Sequence, residues 1–189
     1  FSNNTAGSRG GGLVFNSPGD ASNPVETLTI DQASSFTGNL SGTRAGQAAE
    51  GGGLYVSLGS SSSSFTLTKS TVTGNGFGAT SDKRGGGGIA VGGTAGPVVI
   101  SYSRIVGNSI GVPDAGANQG TGLHKDNNPG SVTAANNWWG CSTGPSAAPC
   151  DTAVVSGGGS GGPGVVTSSP WLRDSITASP ATIVTNQST

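Results

Sequence analysis

Residues 51–75 read GGGLYVSLGSSSSSFTLTKSTVTGN, and this stretch is one complete example of a unit that recurs along the chain. The unit begins with a glycine run and an apolar pair, continues with alternating apolar and hydroxyl residues, and ends in Gly-Asn. The glycine run recurs at 10–15 (GGGLVF), at 86–91 (GGGIAV) and, degraded, at 120–125 (GTGLHK). A unit repeated at a nearly fixed spacing predicts structural repeats that stack on one another.

The end of the unit defines the spacing. It reads FSNN, FTGN, VTGN, IVGN and WWGC. The first residue of this motif, which we call the apolar leader, falls at Phe1, Phe36, Val72, Ile105 and Trp138, in steps of 35, 36, 33 and 33 residues. We expect these five side chains to form a ladder through the core, which Trp138 closes as a large plug. Trp139 should point the other way, because successive residues of a strand face opposite sides.

Residue types within the unit predict an all-β fold. The segments 64–72 and 97–105 alternate apolar and hydroxyl residues, which is typical of strands with one buried face. Glycine and asparagine at the unit ends permit sharp corners, and Gly, Ser and Thr are poor helix formers. The sequence therefore predicts a parallel β-helix (β-solenoid) of about five coils with outward loops over residues 1–172, followed by an extended tail at 173–189.

Composition and charge exclude several classes of protein. Glycine contributes 36 of 189 residues, a content found in disordered chains, but disorder does not explain apolar leaders held at one phase. The net charge is −1 with only eight basic residues, so no electrostatic footprint for nucleic acid is expected. No apolar run is long enough to predict a membrane span in this segment.

The two cysteines, Cys141 and Cys150, enclose the turn-forming sequence STGPSAAP. Their close spacing predicts a disulfide that pins this loop over the last coil, and it indicates an oxidising, extracellular compartment. No metal site or other cofactor is expected, since the chain has one histidine, His124, and no C-x-x-C motif. The group His124, Lys125 and Asp126 is expected to consist of solvated loop charges. Arg9 and Glu50 are expected to pair as exposed ions on stacked rungs.

The carboxylates predict a protein without catalytic activity. β-Helix lyases and hydrolases need either two or three carboxylates that converge on one strand face or an Arg or Lys base beside a Ca²⁺ cluster, whereas the nine acids here fall mostly in loops, at different phases of different units. A polysaccharide-active or glycan-binding β-helix is the main alternative. An ice-binding β-solenoid is a minor one, because a ladder of outward threonines at Thr27, Thr29, Thr66 and Thr68 is interrupted by Val99 and Ser101 and then by Val132 and Ala134.

The repeats also resemble a known group of proteins. The alternation of GGG-apolar with F-x-x-N resembles right-handed parallel β-helix surface proteins, including the polymorphic outer-membrane adhesins of autotransporter type. The segments 136–145 (NNWWGCSTGP) and 169–172 (SPWL) are similar to the closing coil of secreted bacterial β-helix repeat proteins. The resemblance implies a right-handed β-helix with a structural or adhesive role outside the cell. Residues 174–189 resemble the first strand of a bacterial immunoglobulin-like domain.

Both ends of the repeat suggest self-association. The first coil begins at Phe1 without a polar cap, and the tail provides a candidate assembly strand with the residues Ile176, Ala178, Ile183 and Val184. Added to a neighbouring subunit, this strand would build a head-to-tail filament. The alternative is a fragment of a larger parent chain whose tail folds back on its own helix. A glycan or another cell-surface ligand is the expected external partner.

Overall fold

A computed structural model of the protein describes residues 1–18, 25–44, 48–77, 82–83, 85–94, 96–110, 120–126, 128–146, 148–156 and 164–174. Within these ranges the chain forms 17 β-strands and no helix, which confirms the predicted all-β class. In chain order the strands are β1 (Leu13–Ser17), β2 (Thr27–Ile30), β3 (Ser35–Thr37), β4 (Leu40–Ser41), β5 (Ala48–Ala49), β6 (Leu54–Leu58), β7 (Ser64–Thr68), β8 (Thr71–Thr73), β9 (Gly76–Phe77), β10 (Asp82–Lys83), β11 (Ile89–Thr94), β12 (Val98–Ser101), β13 (Arg104–Val106), β14 (Leu123–Lys125), β15 (Ser131–Thr133), β16 (Ala153–Val155) and β17 (Val165–Thr167).

The strands stack as a parallel β-solenoid. The first sheet has the order β1-β6-β11-β14-β16, the second sheet β2-β7-β12-β15-β17 and the third sheet β3-β8-β13, and every neighbouring pair is parallel. Two small two-stranded sheets, β4-β9 and β5-β10, complete the described ladder. Each neighbour in a sheet comes from the next repeat, so the repeat period of the sequence corresponds to one winding of the chain.

The number of complete turns is smaller than the predicted five. Three turns, β1-β2-β3, β6-β7-β8 and β11-β12-β13, contribute a strand to each of the three sheets. The later part of the described chain adds two strands to the first sheet and two to the second. In the third sheet it adds only a single bridge, between Arg104 and Trp138. The fold is therefore about three full turns with a partial continuation.

The core is a stack of apolar columns inside the turns. In the first sheet one column contains Leu13, Leu54, Ile89, Leu123 and Ala153 in register. In the third sheet Phe36, Val72 and Ile105 are paired in the predicted ladder, and all three are fully buried. The ring of Phe1 stacks on that of Phe36 with centroids 4.8 Å apart.

Trp139, and not Trp138, continues this ladder. The bridge pairs Trp138 with Arg104, so the next residue, Trp139, lies opposite Ile105. Trp139 is fully buried, whereas Trp138 is only half-buried. The last step of the ladder is one residue longer than the preceding one, and a shift of one residue exchanges the two faces of a strand. The prediction that Trp138 is the core plug is therefore wrong.

At the corners of the solenoid, residues with the left-handed backbone conformation occupy equivalent positions on successive turns. After the third sheet, Gly38, Gly74 and Gly107 have φ angles of 64°, 63° and 70°. An L side chain is strained in this conformation, which explains the glycine of the repeated Gly-Asn motif. A further corner, after the second sheet, is formed by Lys69 and Tyr102 with φ angles of 50° and 51°.

Candidate functional site

Asparagine side chains follow the glycine corner on successive turns and form a hydrogen-bonded ladder. Asn75 Oδ1 accepts hydrogen bonds from the backbone N–H and the Nδ2 of Asn39, both at 2.9 Å. Asn75 in turn donates from N and Nδ2 to Asn108 Oδ1, at 3.1 and 3.0 Å. Asn4 makes the same two bonds to Asn39 Oδ1. Because the second Nδ2 hydrogen of Asn75 bonds to the carbonyl of Phe36 at 2.9 Å, the buried amide is fully paired.

Asp151 ends the ladder at the last turn. Its Oδ1 accepts from the backbone N–H of Gly107 at 3.1 Å, and its Oδ2 accepts from the N and Nδ2 of Asn108 at 3.1 and 2.6 Å. A carboxylate only accepts, so it takes the last donors of the ladder and needs no partner above it. Burial raises the pKa of Asp151, although the bonds from Asn108 and Gly107 partly oppose this shift.

The closing disulfide positions this carboxylate. Cys141 follows Gly140, at the place in the repeat where the earlier units have asparagine, and it is joined to Cys150 with the two Cα atoms 5.4 Å apart. Asp151 comes directly after Cys150, and its backbone N–H donates to the carbonyl of Trp139 at 2.9 Å. The sequence prediction found the disulfide but missed the role of Asp151. The available signal was that cysteine replaces asparagine in the last unit.

Arg9 and Glu50 pair across adjacent turns, but not as two exposed ions. Arg9 Nε donates to Glu50 Oε2 at 2.5 Å, and the Glu50 side chain is only 5% exposed while that of Arg9 is 46% exposed. The guanidinium of Arg9 also lies 5.1 Å from the centre of the Tyr55 ring. The bond to Glu50 raises the pKa of Arg9, against the opposing effect of burial. The expectation of an exposed pair is thus wrong for Glu50.

His124 and Lys125 belong to β14 and are not solvated loop charges. Lys125 is in register with Val91 and fully buried, and its Nζ donates to the carbonyls of Asp126 and Asn128 at 3.0 and 2.9 Å. Burial lowers the pKa of Lys125, an effect that the nearby Asp126 opposes. His124 is 2% exposed on the opposite face of the strand. The expectation of solvated charges is therefore wrong for both residues.

The surroundings of His124 do not form a catalytic triad in the described structure. Its Nε2 lies 2.8 Å from Ser156 Oγ and 3.3 Å from Asp126 Oδ1, so both polar neighbours approach the same ring nitrogen. A Ser-His-acid arrangement requires the acid at the other nitrogen, and Nδ1 has no hydrogen-bond partner among the described residues. Over those same ranges, no three His, Cys, Asp or Glu side chains cluster closely enough to hold a metal ion.

The candidate assembly strand, with Ile176, Ala178, Ile183 and Val184, lies outside the described residues. In the first turn, Phe1 is 60% exposed, and its backbone nitrogen donates to the carbonyl of Ser35 at 2.9 Å. Across the described ranges, no helix is long and apolar enough to span a membrane.

When the chain is compared with protein-family models, with curated proteins and with solved structures, nothing matches it. Any functional interpretation therefore depends on the geometry of the solenoid and on the chemistry of its surfaces.

Proposed function

We propose that the chain is a non-catalytic structural or adhesive module of a bacterial surface protein, located outside the cell, whose turns extend head to tail into a longer assembly. The observation that supports this proposal most directly is the asparagine ladder ending at Asp151. It joins successive turns through buried side chains as well as through the backbone, so it stiffens the solenoid along its axis.

Two further features agree with this role. The disulfide between Cys141 and Cys150 favours an oxidising compartment, such as the exterior of the cell. The repeats also resemble those of β-helix surface proteins, which supports a place at the cell surface and an adhesive function towards a glycan or another surface ligand.

The first turn supports head-to-tail extension. The exposed ring of Phe1 covers Phe36, and the exposed Asn4 is the outermost rung of the asparagine ladder. A rung that carries an apolar column and an asparagine can stack on a further rung, whether of the same chain or of a second copy. The segment 176–185 is the proposed contribution of the second copy, which would add it as a strand.

Association of copies is tested by analytical ultracentrifugation and negative-stain electron microscopy of the wild type, Phe1→Lys and Val14→Lys. Phe1 and Val14 are similarly exposed, at 60% and 51%, but Val14 lies on the side of the first sheet. We expect concentration-dependent rods for the wild type and for Val14→Lys, and none for Phe1→Lys. A wild type that stays monomeric at high concentration refutes head-to-tail extension.

The absence of catalysis is tested with acidic and neutral polysaccharides, by following new reducing ends and unsaturated sugar products. We expect no turnover above that of heat-denatured protein. Turnover that is lost in His124→Ala would refute the non-catalytic proposal and favour a polysaccharide-active β-helix instead. Binding of a polysaccharide without turnover would favour the adhesive form of the proposal.

A further inference from the structure

The second sheet presents a regular array of small side chains on its outward face. Strand register aligns five outward positions in each of two neighbouring columns. We call the central column the threonine column, and it contains Thr29, Thr66, Val99, Thr133 and Thr167. The flanking column contains Thr27, Ser64, Pro97, Ser131 and Val165.

The strand register shows that the threonine column has fewer interruptions than the sequence predicted. Val132 pairs with Val98, and both are buried, so Val132 belongs to the core. Its neighbour Thr133 pairs with Val99 and is exposed. The repeat spacing had placed Val132 outward, and a shift of one residue inverts the faces of a strand. The threonine column is thus interrupted only at Val99, which has nearly the shape of threonine.

The threonine column is rigid and its hydroxyls are free to bond to water. Threonine is branched at Cβ, which restricts its side chain to few rotamers on a strand. Within the described part of the chain, no hydrogen bond joins the hydroxyl of Thr29, Thr66, Thr133 or Thr167 to another group. These four side chains are exposed or half-buried. Each therefore presents one hydroxyl and one methyl group to solvent in a fixed orientation.

The array repeats in two directions. Rungs of a parallel sheet lie about 4.7–4.9 Å apart, and outward residues two positions apart on a strand lie about 6.6 Å apart. The ten side chains of the two columns include no charge and no aromatic ring. Water bound between the hydroxyls and methyls of these two columns should follow the same two-dimensional repeat, because none of the ten side chains is charged; the exposed Asp31 follows two residues after Thr29, outside the two columns.

We propose that this face binds ice, that is, the crystalline surface of water. A regular, uncharged lattice of hydroxyl and methyl groups on stiff side chains is suited to ordering water over its whole area rather than to holding one small ligand. Surfaces that bind sugars usually contain aromatic rings, and surfaces that bind nucleic acids contain cations. The ten side chains of the two columns include neither. The proposal does not depend on head-to-tail extension, because the face lies along the side of the solenoid.

Ice affinity is tested on the full chain by growing an ice hemisphere slowly from a solution that also contains albumin. The partition of each protein into ice is then measured, together with ice recrystallisation. The test variant is Thr66→Lys, in the threonine column, and the matched control is Thr71→Lys, which faces outward from the third sheet on the same turn. Both threonines are half-buried, but Thr71 is in register with Arg104, so the stabilities of the two lysine variants are compared before their ice affinities. Val99→Thr completes the column. Circular-dichroism melting curves check that all variants fold.

We expect the wild type and Thr71→Lys to be enriched in ice relative to albumin. Thr66→Lys should lose about tenfold or more of this partition into ice, which corresponds to about 1.4 kcal/mol of binding free energy. Val99→Thr should bind ice at least as well as the wild type. Exclusion of the wild type from ice, or equal losses in the two lysine variants, overturns the proposal. A wild type that is excluded from ice but forms dimers abolished by Thr66→Lys assigns this face to a second copy instead.

Discussion

Replacing Asn75 by alanine removes the central rung of the asparagine ladder. Asn75 is 1% exposed, and its side chain makes four hydrogen bonds, two accepted from Asn39 and two donated, to Asn108 Oδ1 and to the Phe36 carbonyl. In Asn75→Ala the backbone N–H of Asn39 and one of its Nδ2 hydrogens lose their acceptor. Both groups stay buried inside the solenoid, so water does not readily replace the lost oxygen.

The expected cost follows from these orphaned donors. A buried donor left without a partner costs about 1–3 kcal/mol, so the two donors of Asn39 together give about 2–6 kcal/mol in the free energy of unfolding. For a chain of this size, a loss of that order lowers the melting temperature by about 5–20 °C. Asn75→Asp should be no better, because a carboxylate cannot donate to Asn108 or to Phe36.

Urea unfolding, followed by circular dichroism, measures this loss. The matched control is Asn4→Ala, because Asn4 is exposed and only donates its side-chain bond, so its removal should cost about 0.5 kcal/mol or less. If Asn75→Ala and Asn4→Ala lose similar stability, the ladder does not hold the turns together, and the mechanical part of the proposed function is wrong.

Three further predictions concern the closing turn. Trp139→Ala should lower the free energy of unfolding by about 3–5 kcal/mol, because it leaves a cavity in the core, whereas alanine at the half-buried Trp138 should cost far less. Equal losses in urea unfolding would contradict the register. The double variant Cys141→Ser/Cys150→Ser should lose about 2–3 kcal/mol relative to the oxidised protein, and unchanged melting would show that the loop needs no crosslink. Because burial raises the pKa of Asp151 in the folded state, its contribution to stability is complete below the unfolded pKa of about 3.9 and is lost as pH rises through the folded value. The stability difference between wild type and Asp151→Asn should therefore shrink with rising pH, and growth of that difference from acid to neutral pH in urea titrations would contradict the sign of the shift.

Several features of the fold were predictable because they are encoded locally. The Gly-Asn motif predicted a corner, and Gly74 has the left-handed φ that the corner requires. The alternation in 64–72 predicted the inward side chains of β7 and β8, and Phe65, Leu67 and Val72 are all fully buried. Both features depend only on backbone preference and on the two-residue period of a strand.

Parts of the candidate sites were not predictable, since they depend on how one turn is aligned with the next. Lys125 looks like a loop charge in sequence, yet its pairing with Val91 places it on the buried side. Asp151 lies 43 residues beyond Asn108 and outside any repeat motif, and it reaches the ladder only through the closing loop. Such contacts depend on loop lengths between turns, which vary independently of the strands.

The sequence by itself determined the repeat, the order of strands and corners, and the presence of asparagine at a constant place in every unit except the last. Only the tertiary structure decided that Trp139 rather than Trp138 enters the core and that Thr133 rather than Val132 faces solvent. The physical reason is that neighbouring residues of a strand have opposite faces and nearly equal local preferences. Hydrogen-bond register between residues about one turn apart therefore selects which of the two is buried.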